Sequence, residues 1–231
     1  MRTFLFSIFL FINLFSFGQN PTSIFGFFPE AQLSYKTANE FKISTKIESQ
    51  QGIINTSPDM NPHYNYYHNQ TDFQGFIGKS INPFVSVTIG YQYRIDPQSN
   101  NSNRSIQQIS FVQPLTGIKL GHRIRTDQTF AAEENPEFRG RYRLSAEIPL
   151  SGQSLDPTEF YCILSDEGII SHQNDDTGFE NRFVLGVGKL LTKHQKVQVA
   201  IDYRTDKFSA QSIRHRTWIK FGWFASFSAK K

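Results

Sequence analysis

The chain has 231 residues, of which 38% are hydrophobic, 15% aromatic and 19% charged, with a net charge of +4 and one cysteine. The lone Cys162 excludes a disulfide framework, and a mild charge without any basic run excludes a nucleic-acid footprint. After Gln19 no stretch is long and apolar enough to form a transmembrane helix.

Met1-Arg2-Thr3 is followed by the apolar run Phe4 to Phe15 and then Ser16-Phe17-Gly18. A basic start, an apolar core and small residues before a polar stretch predict a secretory signal peptide over residues 1–18. No Cys follows it to carry a lipid anchor. Residues 19–231 contain no Pro/Gly/Ser-rich linker, so they are expected to form one domain.

In chain order, Ala31, Leu33 and Tyr35 alternate with Glu30, Gln32, Ser34 and Lys36. After the turn Thr37 to Glu40, Phe41, Ile43, Thr45 and Ile47 alternate with Lys42, Ser44, Lys46 and Glu48, which predicts a hairpin. Gln50 to Gln70, with Pro58, Pro62 and the cluster Tyr64, Tyr66 and Tyr67, reads as a long loop. Alternation returns at Phe73, Gly75 and Ile77. It is cleanest at Val85, Val87, Ile89, Tyr91 and Tyr93, which oppose Ser86, Thr88, Gly90, Gln92 and Arg94.

Asp96 to Asn103 is polar, and Ser105 to Gln113 is a less regular strand. A strand over Gly117 to Arg125 and another over Phe138 to Leu150 follow, joined by a polar connection. In the second, Arg139, Arg141, Arg143, Ser145 and Glu147 share one face, and Phe138, Gly140, Tyr142, Leu144, Ala146 and Ile148 the other. Glu159 to Ser165, Phe179 to Leu190, Lys196 to Arg204 and Ile213 to Phe227 complete the strands.

Short connections at Thr37, Ser80, Pro114, Leu150 and Leu191 alternate with longer polar ones after Gln50, Ile95, Thr126, Asp166 and Thr205. Sorted connections and strands of about ten residues, each with one apolar and one polar face, match an outer-membrane barrel. The fold predicted is therefore all-β, a closed antiparallel transmembrane β-barrel. Eleven strands are clear. Because single-chain bacterial barrels normally have even counts, a further strand at Ile24 to Phe28 is expected to bring the number to about twelve, with ten as the alternative. Lys79 and Lys189 fall on the apolar phase beside short turns, where a long cation can snorkel to the membrane interface. His122 also falls on that phase, well inside its strand, which points to a bulge or a shifted phase there.

The segments Leu120-Gly-His-Arg-Ile-Arg125 and Phe138-Arg-Gly-Arg-Tyr-Arg-Leu144, with the Gly90-Tyr-Gln-Tyr-Arg94 strand, resemble the domain of unknown function 2490 family. Members of that family often carry a Trp near the mature N-terminus, where this chain has Phe25 to Phe28. They also carry a Glu-Gln-Arg run where it has Asp127-Gln128-Thr129. The resemblance implies a signal-bearing Gram-negative protein of the cell outer membrane and supplies no catalytic residues.

The polar faces place Arg94, Arg123, Arg125, Arg139, Arg141, Arg143, Glu147, Asp202, Arg204, Arg214 and Arg216 in the lumen, with Lys220, Glu30 and Glu48. Such a lining either forms an ionic plug or makes a narrow anion-leaning pore that takes small anionic or phosphate-bearing solutes. Its surroundings would be outer-membrane lipid and lipopolysaccharide. The alternative is a surface protein that binds a partner or glycan through its long loops.

No enzyme is expected. The pairs available for lipid hydrolysis are His122 with Ser110 and Ser171 with His172, and neither sits in a nucleophile elbow. His63, His68, Asp59 and Asp72, or Asp175 and Asp176 with Asp166 and Glu167, lack a metal-site signature. No cofactor motif is present.

Overall fold

The computed structural model describes residues 21–57, 60–208 and 213–229. The segment read as a signal peptide lies outside the described residues. Eleven strands form the described chain: β1 (Thr22–Lys36), β2 (Phe41–Ser57), β3 (Met60–Asn82), β4 (Val85–Ile95), β5 (Ser102–Leu115), β6 (Ile118–Ala131), β7 (Glu137–Pro149), β8 (Phe160–Gln173), β9 (Asp176–Thr192), β10 (Gln195–Asp206) and β11 (Arg214–Ser228). They make an up-and-down meander that closes into a barrel, β11 lying beside β1.

The count falls between the two expected values because Ile24 to Phe28 is the first half of β1 and not a separate strand. Pro29 lacks an N–H, but its fixed φ suits extended backbone, so the chain runs straight through it. An odd meander cannot close antiparallel. All sequential neighbours pair antiparallel, whereas β1 and β11 pair parallel in unbroken register from Thr22 beside Arg214 to Lys36 beside Ser228.

The barrel is inside-out. Ile89 is 61% exposed on the outer wall, while Asp127 is 0% exposed inside. Alternation with period two produces this arrangement strand by strand, since a closed sheet has one face toward its axis and one away.

Several segments read as long loops are strand instead. β2 stays paired with β1 as far as Thr56 and with β3 beyond Gln50, while β3 pairs with β4 only from Thr71 onward. β8 runs to Gln173 and turns through Asn174 and Asp175, at φ 51° and 61°, a left-handed pair that these two residues tolerate in a tight hairpin. In the outer part of β2 and β3 the register shifts three times, and in β8 the outward Asp166 and Gly168 interrupt the apolar row. The alternation that marks a strand therefore vanishes while its backbone ladder continues.

His122 needs no bulge. The registers of β6 with β5 and β7 are continuous, and His122 Nδ1 meets the Tyr142 hydroxyl of β7 at 2.9 Å on the outer wall. Lys79 and Lys189, near the turn rim, lie 5.2 and 4.9 Å from the rings of Phe41 and Phe160.

Close approach of β9 to β10 requires glycine at 186. A Cβ there would sit 2.5 Å from the Val199 carbonyl oxygen and 2.7 Å from Ala200 Cα. Gly186→Val is expected to destabilise the barrel by about 1–3 kcal/mol, measured by urea unfolding in lipid vesicles.

Candidate functional site

The lumen encloses a cavity of about 1400 Å³, lined from Lys42 and Ser80 at the turn rim to Asp96 and Asn100 at the loop rim. Its charge is unevenly compensated around the wall.

On β6 and β7, Arg123 stands directly opposite Arg143, Arg125 opposite Arg141, and Asp127 opposite Arg139. Like charges so placed repel, and the wall holds because carboxylates are threaded between them. Asp127 accepts from Arg125 Nε at 2.5 Å, from Arg141 Nη1 at 3.2 Å and from Arg139 Nη2 at 3.4 Å. Glu167 of β8, 1% exposed, accepts from Arg123 at 2.6 Å, from Arg141 at 2.7 Å and from Arg143 at 3.2 Å. Two carboxylates thus serve five guanidiniums, and Glu137 adds a contact of 3.6 Å to Arg139 from the rim.

The Nε groups of Arg123, Arg139, Arg141 and Arg143 are buried without a hydrogen-bond partner. Arg104 of β5, also buried, is held by neutral groups: Thr129 Oγ1 at 2.8 Å and Gln92 Oε1 at 3.4 Å.

Elsewhere cations and carboxylates pair closely. Glu30, Glu48 and Asp72 face one another across β1, β2 and β3. Lys46 bridges Glu30, at 2.9 Å, and Glu48; Lys220 reaches Glu30 at 3.1 Å. Arg94 grips Asp72 through two bonds of 2.7 and 2.8 Å. On β9 to β11, Arg204 grips Asp202 at 2.8 and 2.9 Å, and Arg214 grips Asp206 at the same two distances. Arg216 lies between Asp206 and Glu180, 2.9 Å from the latter, and Arg182 reaches Glu180 at 2.7 Å. Such forked pairs are geometrically specific and strong.

Of the residues named from the sequence, Arg94, Arg123, Arg125, Arg139, Arg141, Arg143, Asp202, Arg204, Arg214 and Arg216 line the cavity. Glu147 accepts from Lys196 at 3.0 Å near the turn rim. Sequence reasoning missed Asp72, Arg104, Asp127, Glu167, Arg182 and Asp206 as lumen partners. Asp127 follows the inward Arg123 and Arg125 by steps of two, Asp206 follows Arg204 in the same way, and Glu167 lies two residues past the strand read to Ser165. Extending the period by one or two residues past the strand ends would have found all of them except Arg182, which lies within the strand read over Phe179 to Leu190.

The pairs considered for hydrolysis are split across the sheet. Ser110 sits opposite Arg123 and faces inward, while His122 faces outward; Ser171 faces inward, while His172 bonds Thr177 at 3.2 Å on the other face. Asp59 lies outside the described residues. Asp72 is held by Arg94, whereas His68 bonds Thr71 at 2.8 Å. Asp166 faces outward and accepts from Asn181 at 2.7 Å, so it is separated from Glu167 by the sheet. Among the described residues no group of three or more His, Cys, Asp or Glu side chains could hold a metal ion. Of the tyrosines on the outer half of β3, Tyr64 and Tyr66 are exposed and Tyr67 packs against Gly52.

No curated protein matches the sequence. Among solved structures the chain is similar to LpxR from Salmonella typhimurium, with 8% identity, a TM-score of 0.49, and coverage of 80% of this chain and 83% of that one. The family described as Protein of unknown function (DUF2490) matches residues 25–216, and the chain belongs to that family.

Proposed function

We propose that the protein is an outer-membrane β-barrel whose lumen carries small anions along the cationic wall of β5 to β7. The observation that carries this reading is the imbalance on that wall: five guanidiniums share Asp127, Glu167 and the rim Glu137, a sixth, Arg104, is held by neutral groups alone, and four buried Nε groups lack a hydrogen bond. Buried charge without a counter-charge is costly, and an anion in the lumen supplies one. Rings and rows of Arg and Lys select anions in membrane pores.

The membrane location is supported by the outer wall. Leucine, isoleucine, valine and phenylalanine side chains are exposed on successive strands around the barrel, far more contiguous apolar surface than a water-soluble monomer carries. The leader expected at residues 1–18 agrees with export, and outer-membrane lipid with lipopolysaccharide would surround the wall. A cavity lined from rim to rim favours a passage over a plug.

The test is a planar-bilayer recording of refolded protein under a potassium chloride gradient. The reversal potential should have the sign of chloride preference. Removing a unit charge about 7 Å from an ion in a water-filled passage changes its energy by about 0.6 kcal/mol, so Arg143→Gln should lower the preference about threefold. Absence of conductance, or preference for potassium, would sink the proposal.

A further inference from the structure

A second cationic feature lies at the turn rim, away from the arginine wall. Lys42, Lys119 and Lys196 are each the second residue of the strand that enters there, β2, β6 and β10. All three are on the inward phase and line the cavity. In the strand order β2, β6 and β10 are separated by four, four and three steps, so the lysines project from three sides at one height. Lys42 lies within electrostatic reach of both others.

Counter-charge at this level is sparse. Glu147 bonds Lys196, at 3.0 Å, and Lys196 also lies over the rings of Tyr161 and Phe224 at 5.5 and 5.8 Å. Among the described residues no ion pair forms at Lys42 or Lys119, whereas farther from this rim Lys46, Arg94 and Arg204 each meet a carboxylate. A ring serving only to fill space would gain by placing carboxylates here, because mutual repulsion of ammonium groups opposes closure.

The adjoining wall supplies hydroxyls. Ser34 faces Ser44 across β1 and β2, and Ser80 faces Ser86 across β3 and β4, all lining the cavity near the same rim. Compact ammonium charges with neutral O–H donors match an ion that has several acceptor oxygens and is small enough to sit among three side chains. Chloride also accepts hydrogen bonds, but as a single atom it has no separate oxygens to divide among lysines and serines on different sides of the mouth.

We propose that Lys42, Lys119 and Lys196, with these serines, form a site for a tetrahedral oxyanion of the phosphate class at the turn-side mouth. The site deepens the anion-passage reading and rests on it for delivery of the ion, but binding is measured without conduction.

Isothermal titration of detergent-refolded full chain with inorganic phosphate, in a sodium chloride background, provides the test. Binding should persist in that background and weaken about tenfold or more in Lys42→Gln/Lys119→Gln. Glu147→Gln should bind phosphate more tightly, since it frees Lys196, an outcome that general destabilisation would not produce. Removal of two unpaired cations relieves repulsion, so the double variant should keep the heat-modifiable gel mobility of a folded barrel. Unchanged affinity in the double variant, or equal competition by chloride, would overturn the site. If phosphate binds at the ring and no anion current is seen, the passage fails and the ring stands; anion current without phosphate binding rejects the ring alone.

Discussion

Replacement of Glu167 by glutamine is expected to cost about 3–5 kcal/mol of barrel stability, the range seen when one partner of a buried ionic cluster is removed. Glu167 is 1% exposed and is the meeting point of Arg123, Arg141 and Arg143, so a neutral amide leaves three guanidiniums facing one another with little water to screen them. Glu137, at the rim and 27% exposed in its side chain, is the matched control. Its replacement by glutamine should cost about 1 kcal/mol or less, as for surface pairs. Urea unfolding in lipid vesicles, followed by the fluorescence of Trp218 inside and Trp223 outside, reads both. An E167Q barrel as stable as the parent would mean that the arginine wall is held by something other than its carboxylates.

The second large effect is a gradient with height on the outer wall. Ile89 lies near the middle of β4 and Ile81 near the turn rim, and they are 61% and 64% exposed. If lipid covers this wall, Ile89→Arg should cost about 2–4 kcal/mol and Ile81→Arg about 0–1 kcal/mol, because the penalty for a cation falls from the bilayer midplane to the interface. A wall facing water would give two small and similar values, within about 0.5 kcal/mol. Vesicle-based folding free energies of the two variants separate these outcomes, and equal costs would remove the support for a membrane location.

Much of the fold was legible because period-two alternation is strong wherever one face of a strand is apolar. Val85 to Arg94 and Phe138 to Ile148 show it plainly, and their inward and outward residues can be assigned from sequence alone. Legibility ended where the apolar band ends. Asp127, Glu167 and Asp206 lie just past the residues whose outward neighbours are greasy, and so read as loop although they hold the arginines in place. The ladder between residues 50–55 and 63–70 was hidden for another reason: its register shifts repeatedly, which breaks the period of two although the backbone stays paired. Strand number depends on closure, a property of the whole ring. The lysine ring was hidden differently: Lys42, Lys119 and Lys196 lie far apart in sequence, and only the strand order brings their heights and directions together.

The parallel seam between β1 and β11 has a consequence for assembly. Every other neighbour can be zipped locally as a hairpin, but the first strand must wait for the last, so ring closure joins the most distant parts of the chain and depends on all the intervening register. Until that step two ribbon edges stand open, able to template foreign strands or recruit an assembly factor by edge addition. Evenly spaced slanted bonds, slightly weaker per residue than the antiparallel kind, then make this joint the natural place for a finished cylinder to unzip.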